Sequence, residues 1–424
     1  MALFKEVKKP VIKAAPAGAE ISPLRPRYSE KTPPCIANCP SGTDIRGWLT
    51  TIAQAEAYGR TTEQGLELAW QKITDCNPFP AVCGRVCPHP CESNCNRKDK
   101  DGPVAINALE RFVGDFGVTR NLKLARLTEE NYPEKVAVVG AGPAGLSCAY
   151  QLARRGYAVT VFEAFSKPGG MLRYGIPKYR LPREILDAEI RKILDLGVDL
   201  RCGFVVGRDL SLEQMRQDYR AVFVGIGAHK GLQLGIPGED ASNVFTGTEF
   251  LNRANSGEAV QVERKVIVIG GGELALRSAG ELSTVAKQVT MVCSNGEGMG
   301  SPLSQKLQQA SNVKIMKECN IIEVQGDEYA RKLIVKDKAG KISEYSADGM
   351  FVEKALTPNT AMVKELVKLD EHDRIIIDCG CNTNVSGLFA AGDVTNTYAE
   401  QVLIAVGEGA KAALSAYEYL LPQL

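Results

Sequence analysis

Seven of the chain's thirteen cysteines fall between Cys35 and Cys95, and their spacing is the first chemical signal. Cys35-x3-Cys39-Pro precedes Cys83-x3-Cys87-Pro-x2-Cys91-x3-Cys95. Thiolates are the natural ligands of iron–sulfur clusters, and a Cys-Pro step is common beside them. Zinc is the alternative metal, but zinc sites favour closer Cys-x2-Cys pairs. Clustered cysteines in a large chain without a secretory signal argue for metal or redox work over disulfides. Cys76, Cys148, Cys202 and Cys319 stand alone and read as ordinary thiols, as do Cys379 and Cys381 on a loop after an apolar run.

Two glycine-rich fingerprints carry the second signal. Gly140-x-Gly142-x-x-Gly145 follows an apolar strand, Val136–Val139, and precedes a helix, Leu146–Arg154. The first glycine permits the tight turn, the second lets a pyrophosphate approach the backbone, and the third lets helix pack on sheet. A second strand, Ala158–Phe162, ends at Glu163, where a carboxylate can accept from adenosine ribose hydroxyls. Gly270-x-Gly272-x-x-Ala275 repeats the pattern, and its next strand, Gln288–Val292, ends at Cys293. No arginine lies between Arg277 and Lys306 to grip a 2′-phosphate, which predicts NAD(H) over NADP(H).

The elements that must position these groups set the fold class. Helix-like stretches at Asp44–Tyr58 and Ile106–Phe116, without strand alternation, predict a small helical domain around the cysteines. The two fingerprints predict an α/β protein with two interleaved Rossmann-like units. A late apolar strand ending in Gly392-Asp393 makes the flavin unit discontinuous. The expected order is a Pro-rich extended arm over 1–34, an iron–sulfur-type helical domain over 35–130, and a first FAD-binding part over 131–260. An NAD(P)H-binding domain over 261–357 and a second FAD-binding part over 358–424 complete it.

A length of 424 residues allows two to four domains, and 44% hydrophobic with 24% charged residues is ordinary for a globular chain. A net charge of +1 gives no footprint for nucleic acid. The longest uncharged stretch, from Val136 to Ala153, carries Gly140, Gly142, Pro143 and Gly145, and reads as strand–turn–helix, not a membrane span. The expected location is cytoplasmic.

The run CGRVCPHPCESNCNRKDKDGPVAINALERF, followed by VAVVGAGPAGLSCAYQLARRGYAVTVFEAFSKPGGMLRYGIPKYRLPREI, resembles the small subunit of bacterial glutamate synthase. It is also similar to the N-terminal half of dihydropyrimidine dehydrogenase and to the large subunit of NADH-dependent ferredoxin:NADP oxidoreductase. The second half, through KVIVIGGGELALRSAGEL and LFAAGDVTNTYAEQVLIAVGEGAKAALSA, resembles thioredoxin reductase and the flavoprotein of alkyl hydroperoxide reductase. The resemblance implies FAD at Gly140, Gly142, Pro143, Ala144, Gly145 and Glu163, with further contacts from Gly170, Arg180, Gly227, Gly392, Asp393, Gln401 and Val402. It implies NAD(P)H at Gly270, Gly272, Glu273, Leu274 and Ala275.

The resemblance further implies a [4Fe–4S] cluster on Cys39, Cys87, Cys91 and Glu110. A second cluster would need Cys35, Cys95 and two earlier thiols. Those two are missing, since Arg27–Glu30 holds no cysteine, so one cluster is expected. A cysteine domain without any cluster, serving only as a docking surface, stays open as an alternative. Two departures bear on function. The Cys-x2-Cys pair that thioredoxin reductase carries before the second fingerprint is absent, since Asn255–Glu263 holds no cysteine. The apolar–glycine step before Pro-Asn-Thr is replaced by Glu353-Lys-Ala355.

Flavin chemistry needs no acid–base side chain, so no catalytic residue is assigned. The expected role is a FAD-containing electron-transfer subunit that exchanges electrons between NAD(P)H and an iron–sulfur chain or partner subunit. Candidate assemblies are glutamate synthase, ferredoxin-linked oxidoreductases, and the flavin subunit of a tungsten-dependent aldehyde or a 2-oxoacid oxidoreductase. The alternatives are the glutamate synthase small subunit proper, a stand-alone NADH-dependent disulfide or peroxide reductase, and a non-enzymatic flavoprotein scaffold.

Overall fold

The structure is a computed structural model that describes residues 32–258, 264–294 and 298–421. The chain divides between Pro33 and Pro34, and among the described residues every helix and strand belongs to the unit that begins at Pro34. The arm expected over 1–34 lies almost wholly outside the described residues, and Pro34 already opens a helix.

Six helices come first: α1 (Pro34–Ala37), α2 (Ile45–Ala53), α3 (Thr62–Thr74), α4 (Pro80–Val86), α5 (Pro90–Ser93) and α6 (Ile106–Thr119). Local chemistry starts several of them. Asp44 caps α2 by accepting from Gly47 N–H, and Thr61 and Gln64 form a capping box on α3. Proline at the first position of α4 and α5 removes an amide that would have no partner. Trp48, Trp70, Ile73, Phe79 and Val82 bury their side chains between these helices. The cores of α4 and α6 cross in contact. A Cβ at Gly84 would lie 2.4 Å from Arg111 Cα, and one at Gly114 would lie 2.3 Å from the Ala81 nitrogen. The helix expected over Asp44–Tyr58 ends earlier, at Ala53, and a short 3-10 turn covers Glu56–Tyr58.

The first nucleotide unit follows: β1 (Lys135–Val139), α7 (Pro143–Ala153), β2 (Ala158–Glu163), α8 (Met171–Tyr174), α9 (Arg183–Leu194), β3 (Asp199–Cys202), α10 (Leu212–Asp218) and β4 (Ala221–Val224). Next come β5 (Lys230–Gly231), β6 (Val244–Thr246), α11 (Gly247–Ser256), β7 (Lys265–Gly270), α12 (Gly272–Ser283), β8 (Gln288–Val292), α13 (Pro302–Gln309) and β9 (Val313–Met316). An antiparallel meander, β10 (Asn320–Gly326), β11 (Ala330–Lys336) and β12 (Ile342–Ser346), leads to β13 (Gly349–Glu353) and β14 (Leu356–Thr357). β15 (Leu388–Ala390) and α14 (Val402–Leu420) close the chain.

Two five-stranded parallel sheets result, in the orders β15-β4-β1-β2-β3 and β6-β13-β7-β8-β9. After an exposed lysine their central strands, β1 and β7, are apolar because both faces are covered, in the second sheet by α12 and α13 on one side and the β10–β12 meander on the other. β15 pairs with β4, so the first sheet is completed by residues far along the chain. The chain changes sheets earlier than the expected division at 260/261, because β6 and α11 already belong to the second sheet. A three-residue edge strand gives too short a pattern to announce that change. α14 packs along α7, where Ser147 Oγ donates to the Val406 carbonyl at 2.7 Å.

Candidate cofactor sites

At the first fingerprint the three glycines do different work. Gly140 sits at φ 101°, and a Cβ there would lie 2.4 Å from the Gly225 carbonyl oxygen. At Gly145 a Cβ would lie 1.8 Å from the Gly140 carbonyl oxygen, so only glycine lets α7 press on its own turn. Gly142 is the N-cap of α7 with ordinary extended backbone (φ −79°, ψ −178°), and a Cβ there would meet only Gly170 Cα, at 3.9 Å. Gly142 and Gly170 bring their backbones close together at a helix N-terminus, since a Cβ on Gly170 would lie only 2.9 Å from Gly142 Cα. Two residues without side chains leave the helix's first N–H groups bare, the arrangement that the fingerprint is expected to offer a pyrophosphate. Pro143 and Ala144 form the first turn behind it.

Glu163, at the end of β2, is buried and braces this loop. Its carboxylate accepts from Ala141 N–H at 2.7 Å and from Phe165 N–H at 2.9 Å. Burial pushes its carboxyl up, and the two N–H bonds oppose that. Each oxygen keeps a lone pair for a ribose hydroxyl. The sequence suggests a ribose-facing role for Glu163 and gives no sign of the bracing one.

The chain's end returns to the same place. Gly392 is at φ 79°, a Cβ on it would lie 3.3 Å from Ala144 Cβ, and its N–H donates to Glu408 at 2.9 Å. Asp393 beside it is pushed up to about 6 by burial and by Glu400 and Glu408, with Arg374 opposing. Gln401 is the N-cap position of α14 without a side-chain cap bond, and Val402 opens that helix. Gly227 sits at φ 62° in the loop after β4. Arg180 is exposed. The neighbouring Arg183 does the local tethering: it donates to the Leu172, Leu181 and Ile176 carbonyls and to Asn255 Oδ1 of α11 at 2.9 Å.

At the second fingerprint, Gly270 is at φ 154°, and a Cβ would lie 2.1 Å from the Glu353 carbonyl oxygen. The N-cap of α12 is Gly271, so this helix starts one residue earlier in its fingerprint than α7 does. Gly272 is at φ 71°, and Ala275 is fully buried where α7 has Gly145. Glu273 pairs with Arg277 at 2.5 Å, and Leu274 is exposed on the first turn. Cys293, after β8, is buried and turned inward, its thiol donating to the Met316 carbonyl at 3.1 Å. Burial pushes that thiol up, and nearby Lys317 opposes the shift. Asn295, Gly296 and Glu297 lie outside the described residues. Glu353 ends β13 as a buried carboxyl that accepts from Ser278 Oγ at 2.5 Å.

The cysteine domain brings four of its six expected ligands to one cavity. Cys39, Cys87, Cys91 and Glu110 all line it, with Thr43, Trp48, His89 and Asn107 among the other walls and Leu403 of α14 closing it. Cys35 and Cys95 are not among its walls, although the charge of Cys95 raises Cys35. Burial pushes the Cys87 and Cys91 thiols up to about 12, and Cys39 and Glu110 add to both. Thiols raised this far stay protonated at neutral pH, and only a bound cation would hold them together as thiolates. Two sulfurs are prepared for charge. His89 N–H donates to Cys87 Sγ at 3.3 Å, and Cys39 takes hydrogen bonds from Thr43 and Ser41. Such bonds to ligand sulfurs help set cluster potentials.

Glu110 accepts from Asn77 Nδ2 at 3.0 Å, while burial pushes its carboxyl up to about 7. Among the described residues no three His, Cys, Asp or Glu side chains converge on a single metal ion.

Comparison with known proteins agrees with both halves. Residues 134–409 match the family described as pyridine nucleotide-disulphide oxidoreductase, and residues 27–122 match dihydropyrimidine dehydrogenase domain II, 4Fe-4S cluster. The chain is 39% identical over 272 residues to the NADPH-Fe(3+) oxidoreductase subunit beta of Geobacter sulfurreducens, covering 61% of this chain and 39% of that protein. It is 32% identical to the NAD-dependent dihydropyrimidine dehydrogenase subunit PreT of Escherichia coli K12, covering 91% of each. It is 29% identical to the glutamate synthase [NADPH] small chain of the same strain, covering 90% of this chain and 87% of that one. This chain thus spans about two fifths of the Geobacter protein. Thioredoxin reductase of Lactococcus lactis superposes with a TM-score of 0.57 and 25% identity, covering 68% of this chain and 99% of that one. Among the described residues no helix is long and apolar enough to cross a membrane.

Proposed function

Since this chain belongs to the pyridine nucleotide-disulphide oxidoreductase family, we propose that it is an electron-transfer subunit linking NAD(P)H, through FAD, to a cluster on Cys39, Cys87, Cys91 and Glu110 and then to a partner subunit. One observation carries the reading. The first turns of α14 are shared by both halves: Gln401 and Val402 begin the helix at the flavin side, and Leu403 closes the cysteine cavity. One turn on, a Cβ at Gly407 would lie 2.4 Å from the carbonyl oxygen of Pro40, the residue after Cys39. The two cofactor sites are thus separated by little more than one helix.

Flavin supplies the conversion between a two-electron hydride and single electrons, and a cluster supplies a one-electron exit. The chain's own residues hold and shield. Gly142 and Gly170 keep the start of α7 bare of side chains for the pyrophosphate, and Glu163 orders the loop. Leu403 and buried Trp48 supply apolar wall to the cavity. The relatives' names point to larger oxidoreductases, so the exit is assigned to a partner subunit carrying further redox centres.

NADH is the preferred donor in this reading. Cys293 spends its thiol on the Met316 carbonyl, and exposed Lys317 offers a point charge, not the guanidinium fork that suits a 2′-phosphate. Stopped-flow reduction by both nucleotides tests it. A tenfold preference for NADPH, about 1.4 kcal/mol the other way, reverses the assignment. Replacing Cys87 and Cys91 together by serine should abolish bound iron and sulfide while NADH still bleaches the flavin. Iron retained in that variant, or none in anaerobically purified wild type, defeats the cluster assignment.

A further inference from the structure

α9 belongs to the first nucleotide unit, yet two of its buried charged side chains are engaged outside that unit. Glu189 is 1% exposed, and its two carboxylate oxygens accept from Ala81 N–H at 2.7 Å and Val82 N–H at 3.0 Å. These are the first free amides of α4, because Pro80 has none and Phe79 at the N-cap offers no side-chain bond. α4 therefore takes its cap from α9 and not from its own sequence. One turn further along α9, Lys192 is 6% exposed. It donates to the carbonyls of Gly117, in the last turn of α6, at 3.2 Å, and of Leu122, three residues past that helix, with its ammonium 5.6 Å from the centre of the Trp70 ring.

Each charge matches the helix end it meets: an anion at an N-terminus and a cation at a C-terminus. α4 leads into Cys87, α6 carries Glu110, and the two helices touch at Gly84 and Gly114. Around Glu189 stand Glu110 and Arg85, the latter paired with Asp115 at 2.7 Å. Asp195 and Glu189 stand around Lys192.

We propose that Glu189 and Lys192 form a clasp by which the FAD unit positions the two cluster-bearing helices, and that their opposite charges bias the cluster's potential in opposite directions. They are positioning residues, since neither lines the cavity. The proposal rests on the reading that the cavity holds an iron–sulfur cluster. Each charge costs desolvation in the interior, and the helix end it meets offsets that cost.

The test is a redox titration of the anaerobically purified full chain, followed by electron paramagnetic resonance. It is run across pH 7 to 9, because burial pushes the Glu189 carboxyl up to about 8 and the Lys192 ammonium down, so the Lys192 variants are compared at the low end and Glu189→Gln at the high end. Glu189→Gln removes a negative charge and should move the cluster to higher potential. Lys192→Met removes a positive charge and should move it lower, with Lys192→Arg returning it to the wild-type value. Flavin content reports that each variant has folded. Shifts of the same sign, or no shift in either variant, overturn the proposal, because loss of packing alone does not follow the sign of the charge removed. Wild type without iron and sulfide would instead defeat the cluster reading. Hydrogen exchange then decides the clasp: faster exchange at the Ala81 and Val82 amides in Glu189→Gln supports it, and unchanged exchange overturns it.

Discussion

At the scale of single residues, Gly142 separates ligand binding from folding. Its backbone is one that any residue adopts, and a Cβ there has room. Gly142→Val should therefore fold, with unchanged circular dichroism, and purify without the yellow flavin, because the side chain takes the phosphate's space. A variant that keeps stoichiometric flavin would remove the pyrophosphate from this helix N-terminus. Glu353 makes a pH prediction. Burial, with Glu281 adding to it, pushes this carboxyl up from 4.5 to about 7. The folded state thus binds the proton more tightly than the unfolded one. Stability is greatest below the unfolded value and falls as pH rises through about 7, by roughly 3 kcal/mol at most. Glu353→Gln keeps an oxygen for Ser278 and cannot ionise. Its melting temperature should gain on wild type between about pH 5 and pH 8, and a gap that does not widen with pH refutes the argument. Both glycine fingerprints and Glu163 were legible because their spacing is local. The partners of Glu110, Glu163 and Glu353 were not, since Asn77, Ala141 and Ser278 are joined to them only by folding.

At the scale of elements, strands with unbroken apolar runs were readable, and contacts between helices were not. The sequence predicts a helix near Ile106–Phe116, but nothing in it says that α6 lies on α4 with backbones in contact. That follows from Gly84 and Gly114 together, thirty residues apart. Gly114→Ala should force the helices apart, since its Cβ would meet the Ala81 backbone and not a flexible side-chain tip. The expected cost is about 1–3 kcal/mol. Because α4 leads into Cys87 and α6 carries Glu110, bound iron should fall as well. A lowered melting temperature with full iron would show that the cavity tolerates a wider crossing. Likewise α14 reads as an apolar helix after Gly392-Asp393, and only the fold reveals that Leu403 and Gly407 face the cysteine domain.

At the scale of the whole molecule, a thioredoxin-reductase-like pair of nucleotide units is joined to a cysteine domain instead of to a redox-active thiol pair. The two arrangements predict different destinations for electrons. A disulfide reductase needs an accessible Cys-x2-Cys pair, and Asn255–Glu263 contains no cysteine. The remaining cysteines are poor substitutes. Cys379 is exposed while Cys381 is buried, and burial pushes the Cys381 thiol up to about 12. Cys148, Cys293 and Cys319 are buried, with their thiols also raised. Raised, buried thiols are poor nucleophiles at neutral pH. Thiols titrated under denaturing conditions, after iron is removed anaerobically, should therefore be equal in number before and after reduction by NADH. A gain of two thiols on reduction would place a disulfide in the electron path and make the chain a reductase in its own right. An unchanged count, with NADH still bleaching the flavin, leaves the cavity beside α14 as the exit.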